Sequence, residues 1–148
     1  MNRRDFLKGA IVSSAVMASS KVFADDYSHK SSSELNRLKS KDAPTGLEQK
    51  HVPAVESPKS VKAGEWFDVK VNVGFMKEHP STPRHWINMI KVLVDGKEVG
   101  ESRFRTGGVT GPVALLRVKL DRTSNLEAIE NCNLHGTWIS EPVIVKVV

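Results

Sequence analysis

Cysteine occurs once in the 148 residues, at Cys132, so the chain can form no disulfide with itself. Aromatic residues make up only 6%, and no arginine-rich stripe interleaves with them, which excludes a recognisable nucleic-acid surface. No apolar run is long enough to cross a bilayer. The best, over residues 9–19, is broken by Ser13 and Ser14, whereas a helix spanning a core of ~30 Å needs ~20 apolar residues. A long amphipathic helix pattern is missing as well. Gly107, Gly108 and Gly111 are not spaced for phosphate binding and no helix pattern follows them, so they read as turn material. What is present, 39% hydrophobic and 26% charged residues, is the composition of one ordinary globular domain.

The first residues stand outside that domain. Asn2-Arg3-Arg4-Asp5-Phe6-Leu7-Lys8, followed by the short apolar stretch, resembles a twin-arginine export signal cut after Val22-Phe23-Ala24. Such a route carries folded proteins, so a metal can be inserted in the reducing cytoplasm before export to the periplasm. An accidental arginine pair on an ordinary secretory signal is the alternative, and export follows from both. Residues 1–24 carry Arg3, Arg4, Lys8 and Lys21 against Asp5, so they hold three of the five net positive charges and leave the mature domain only mildly basic. In a compartment that permits disulfides, a lone thiol asks for a reason. It is either a small buried hydrophobe or a ligand or nucleophile.

Residues 25–47 are polar and lysine-rich and read as a flexible arm, with Ser31-Ser32-Ser33-Glu34 offering a helix cap before Leu35 and Leu38. His29 in this arm is read as solvated. From residue 48 to residue 148 the pattern changes to short alternating strands. In Trp66–Val73, Phe67, Val69, Val71 and Val73 share one face, with Asp68, Lys70 and Asn72 on the other. The run Ile87–Val94 meets the turn signal Asp95-Gly96 and returns over residues 97–104, which predicts a hairpin. Alternation resumes at Ala114, Leu116, Val118 and Leu120, and again over residues 143–148. Several short strands joined by Gly and Pro turns indicate an all-β, antiparallel sandwich or barrel.

Four of the five histidines lie in this strand-rich region. Cys132-Asn133-Leu134-His135-Gly136 places a thiolate and an imidazole three residues apart, close enough for one tight loop to offer both to one ion, with Gly136 permitting the turn. His79-Pro80 and His85-Trp86-Ile87 flank a loop stiffened by Pro80 and Pro83, and Lys50-His51-Val52-Pro53 adds a fourth imidazole. Neutral imidazoles with one thiolate suit iron, zinc or copper far better than calcium or magnesium. Each of these histidines taken singly would read as a solvated loop residue. Trp66, Trp86 and Trp138 read as packing or shielding residues, and Met76 and Met89 as core fillers.

Taken in order, these three motifs resemble the metal-binding motifs of the superoxide reductases, and the likeness spans residues 51–148, including the segment 90–100 that is similar to that family's hairpin. The resemblance implies an immunoglobulin-like antiparallel β-sandwich of about seven strands with the metal site on loops at one end. It implies one iron per chain, with His51, His79, His85 and His135 in a plane, Cys132 on the axis and the sixth position open to superoxide, which is reduced to hydrogen peroxide. A thiolate opposite the open position pushes charge toward bound oxygen, and neutral histidines allow ferrous and ferric states. Lys50 is the candidate cation that draws the anion in.

One position departs from the family. Where it reads Glu-Lys-His, this chain has Gln49-Lys50-His51, so Gln49 supplies no carboxylate to the ferric form, and Glu48 substitutes only if the loop bends differently. One cysteine also excludes the four-cysteine second domain of two-iron members, so an external electron donor is implied, along with assembly into dimers or tetramers. Two other readings are weighed beside this one. An exported copper or iron electron-transfer protein is one, although no methionine follows His135 as an axial copper ligand and four histidines exceed what copper needs; a non-catalytic sandwich carrier is the other. A structural zinc closes with four ligands, and a fifth would be surplus.

Overall fold

The computed structural model describes residues 35–148. The export segment over residues 1–24, His29 and the cap expected at residues 31–34 lie outside them. One short helix, α1 (Gly46–His51), precedes nine strands: β1 (Pro53–Glu56), β2 (Ser60–Val61), β3 (Trp66–Val73), β4 (Ile87–Val94), β5 (Lys97–Arg103), β6 (Val113–Lys119), β7 (Ser124–Cys132), β8 (Gly136–Ile139) and β9 (Val143–Val147). They form two sheets, β1-β3-β6 and β2-β9-β7-β4-β5, with β8 paired to β7. Between them lies a core rich in β-branched residues, including Val69, Val71, Ile90, Val92 and Val145, with Leu126 packed among them. Alternation drives this arrangement: along β3, Phe67, Val69, Val71 and Val73 point inward while the residues between them are less buried.

The β-sandwich expected from the sequence is therefore present, with more strands than the expected seven and with one parallel pair, β2 against β9, in an otherwise antiparallel pattern. The hairpin forms as expected. Asp95 and Gly96 both take positive φ (49° and 76°), the mirror-image turn that matches the right-handed twist of paired strands.

Two expectations need correction. The segment read as a flexible arm up to residue 47 is fastened to the sandwich in its described part. Asn36 forms a parallel bridge with Trp138, its N–H donating to the Thr137 carbonyl (2.9 Å) and its carbonyl accepting from Ile139 N–H (2.9 Å). Backbone hydrogen bonds of this kind leave little trace in composition. The short helix also lies later than expected, at Gly46–His51, because Thr45 and Glu48 make a capping box: Thr45 Oγ1 accepts from Glu48 N–H, and the Glu48 carboxylate accepts from Thr45 N–H. Val52 and Pro53 then turn the chain into β1.

Candidate metal centre

Four separate pieces of chain bring imidazoles to one end of the sandwich. His51 is the last residue of α1 and is fully buried. Its Nδ1 donates to the Leu47 carbonyl one turn back (2.7 Å), which for a neutral ring leaves Nε2 as the lone pair facing inward. His79, also buried, does the same by a different local device, Nδ1 donating to the Pro80 carbonyl at 2.7 Å. Its approach depends on Gly74, where φ is 84° and an added Cβ would lie 2.6 Å from His79 N.

His85 sits at the end of the turn Thr82-Pro83-Arg84-His85, closed by a bridge between Thr82 and His85. Asn133 holds this turn against the cysteine loop: its side chain donates to the Arg84 carbonyl (2.9 Å) and accepts from Trp86 N–H (2.9 Å), on either side of His85. Cys132 ends β7, and Gly136, with φ 77°, allows the turn that brings His135 back. Opposite Cys132, the pairing of β4 with β7 shifts between Ile87 and Met89, a bulge of the kind that re-aims side chains at strand ends.

The four rings form a closed cycle. Centroids of His51 and His79, and of His79 and His85, are 4.7 Å apart; those of His85 and His135, and of His135 and His51, are 4.8 Å apart. The His51–His85 diagonal is 6.4 Å, close to that of a square with such edges. One ligand atom each from His51, His85, Cys132 and His135 lies within 4.8 Å of the other three. His79 Nε2 joins from the side, 3.2 Å from His51 Nε2, while His135 Nδ1 is 3.1 Å from His51 Nε2 and 3.5 Å from Cys132 Sγ. Two nitrogens at right angles on one ion, each bonded at ~2.1 Å, would be ~3 Å apart. All five residues singled out as ligands in the sequence thus meet.

The inward nitrogens of this cluster have needs that a cation would meet. The inward Nε2 atoms of His51 and His79 are lone pairs facing each other, and His85 Nε2 is buried with no hydrogen-bond partner among the described residues. Protonation does not resolve the conflict: burial first, then neighbouring positive charge, lowers the pKa of His51 and of His79, the latter to about 4, and burial lowers that of His85. Burial also pushes the pKa of the Cys132 thiol up. This donor set, with no carboxylate in it, fits a borderline transition metal and fits calcium or magnesium poorly.

Lys50 adjoins the cluster. Its charge contributes to lowering the pKa of both His51 and His85, and no ion pair or hydrogen bond of its side chain occurs among the described residues. Glu48, by contrast, cannot serve as a ligand in this arrangement: its carboxylate is taken by Thr45 N–H (2.7 Å) and Lys39 N–H (3.1 Å), and Gln49 donates to the Pro44 carbonyl.

Three residues were not singled out for the site from the sequence. Asn133 was visible only as filler inside the cysteine motif. Glu130, two residues before Cys132 on the inward face of β7, is fully buried, both oxygens lack partners among the described residues, and burial raises its pKa well above the usual range. The inward alternation Ser124, Leu126, Ala128, Glu130, Cys132 carried that information. Trp138, read as packing, lies flat against His51, with centroids 5.2 Å apart and planes 21° apart.

Comparison with known proteins is consistent with this geometry. The desulfoferrodoxin family model matches residues 43–141. A superoxide reductase of Pyrococcus abyssi is 35% identical over 101 residues, covering 63% of this chain and 85% of that protein. The desulfoferrodoxin of Nitratidesulfovibrio vulgaris is 35% identical over 96 residues, 65% of each chain. Among solved structures, a superoxide reductase (neelaredoxin) from Ignicoccus hospitalis superposes with a TM-score of 0.67 at 30% identity, covering 80% of this chain and 99% of that one.

Proposed function

The chain belongs to the desulfoferrodoxin family, and from that premise we propose that it works as a superoxide reductase with one iron held by His51, His79, His85, His135 and Cys132. The observation that carries the reading is the buried conflict of lone pairs at 3.2 Å between His51 and His79, beside an orphaned His85 nitrogen and a thiol. One cation removes all of these costs together.

Iron, when bound, supplies the single electron that converts superoxide and two protons to hydrogen peroxide, and an external donor replaces that electron. The chain's own part is preparation. Carbonyls of Leu47 and Pro80 fix the tautomers of His51 and His79, so their nitrogens need no reorganisation. Cys132 gives up its proton on metal binding, which makes loading favour higher pH. Lys50 attracts the anionic substrate by its charge and lies close enough to act on His51 and His85. The carboxylate of Glu48 is engaged in the helix cap and the Gln49 amide donates to the Pro44 carbonyl, so neither of these two side chains is set to compete with an incoming anion.

The same proposal includes export through the twin-arginine-type signal over residues 1–24, periplasmic residence, and assembly into a dimer or tetramer. Metal analysis of the purified protein, the visible spectrum before and after oxidation, and peroxide yield from superoxide test the activity. Stoichiometric iron, a sulfur-to-iron charge-transfer band on oxidation, and one peroxide per superoxide consumed are expected. Protein without iron, or iron-loaded protein that leaves superoxide untouched, would end the proposal.

A further inference from the structure

We propose that Trp138 is a positioning residue of the metal centre, locking two of its imidazoles at once; this rests on the iron site proposed above. Trp138 is 5% exposed, yet it does not belong to the valine-rich cluster between the sheets. Among the described residues it is the one non-imidazole ring that packs on the four histidines.

Two contacts define its action. The indole plane lies against the His51 ring, and indole Nε1 donates to the His135 carbonyl at 3.1 Å. His51 and His135 are 84 positions apart in the chain and adjacent in the ring cycle. The hydrogen bond from His51 Nδ1 to Leu47 pins one corner of the imidazole but leaves it free to pivot about that bond, which would swing Nε2 on the far side of the ring. A flat ring against its face removes that pivot. At the same time the indole N–H ties down the turn that also carries Cys132, so the indole fixes the spacing between His51 Nε2, His135 Nδ1 and Cys132 Sγ.

Trp138 is itself held from both sides. It pairs in register with Glu130 of β7, and on its other edge Asn36 grips its neighbours, with Asn36 N–H and side-chain amide both donating to the Thr137 carbonyl and Ile139 N–H donating to the Asn36 carbonyl. The segment before α1 therefore reaches the site by way of the strand that carries Trp138 as well as through α1 itself, where Lys39 N–H donates to Glu48. Loss of a residue that orients metal ligands from behind typically weakens metal binding or activity by ~10–100-fold.

The test uses the full chain loaded with iron, as wild type, Trp138→Leu and Trp138→Phe, with two readouts: the rate of iron loss to a chelator and the energy of the sulfur-to-iron band in the oxidised form. Trp138→Leu, which removes both contacts, is expected to release iron ~10–100-fold faster and to shift the band. Trp138→Phe keeps a stacking ring and loses only the N–H, and should fall between Leu and wild type on both measures. A folded Trp138→Leu protein with wild-type iron retention and an unmoved band overturns the proposal, as does a loss of thermal stability unaccompanied by either change. Should Trp138→Leu not fold, Trp138→Phe decides by the same two readouts. A wild type that binds no iron with such a band sinks the superoxide reductase reading, and this inference falls with it.

Discussion

Along β7 the same strand serves two kinds of interior. At its start, Leu126 and Ala128 are fully buried among Val69, Val71, Val92 and Val145, where hydrocarbon meets hydrocarbon. At its end, Glu130 and Cys132 are as deeply buried, Cys132 within reach of His51, His85 and His135, and these groups have needs that hydrocarbon cannot meet. The valine interior is complete once packed. The histidine interior is not: lone pairs face each other, and the His85 nitrogen and both Glu130 oxygens have no partner among the described residues. Unmet buried polarity is costly, so its concentration at one end of an otherwise well-packed sandwich marks where function is stored.

That contrast can be broken at either end. The largest effect belongs to Cys132→Ser, which should abolish the sulfur-to-iron band and lower peroxide production by at least ~100-fold, read by spectroscopy and pulse radiolysis. Persistence of the band would remove the cysteine from the ligand set. Leu126→Ala cuts into the other interior and should cost about 2–5 kcal/mol in urea unfolding of the metal-free protein. Iron content and band energy should stay as in wild type, and a shifted band would show the two interiors to be coupled.

Acid sharpens the same distinction. Burial holds the folded-state pKa of His51, His79 and His85 below the ordinary value of 6.5, that of His79 at about 4. The unfolded chain therefore binds protons there first, and the stability these neutral rings contribute is complete above pH ~6.5 and lost as the pH falls toward about 4. Glu130, whose pKa burial raises, acts in the opposite sense over the same range, so the melting temperature should fall across that window in the metal-free Glu130→Gln protein, which lacks that carboxyl; a flat profile there would mean that the rings are not buried as neutral groups. The smallest effect is expected at the rim. Lys50→Ala should leave iron bound and slow superoxide capture by ~10-fold at low ionic strength, the difference shrinking as salt screens the charge. Equal rates at low salt would dismiss Lys50 from the mechanism.

Much of this was legible in the residues, for reasons that can be named. β3 and β4 were readable because their inward positions are apolar, and the Asp95-Gly96 turn because few other pairs tolerate two positive φ values. β7 was not readable: Ser124 and Glu130 occupy inward positions and blur the alternation, although it is the strand that delivers Cys132. The capping box at Thr45 and Glu48 was present in the sequence, but six residues of polar helix show no apolar period to draw attention to them. The docking of Asn36 was hidden because it runs through backbone groups that every residue possesses.

Residue identity alone settled what the site can hold, since four imidazoles and one thiol are soft or borderline donors wherever they stand. It also pointed to turns for His79, His85 and His135, because prolines and a glycine flank them, while their meeting at one end of a sandwich was only what the family resemblance implied. The folded chain decided which nitrogen of His51 and His79 faces inward, that Glu48 is occupied by a helix cap, and that Trp138 lies flat on a histidine distant in the sequence. Chemical type is a property of each residue separately, whereas a distance between residues many positions apart exists only after the intervening chain has closed and packed.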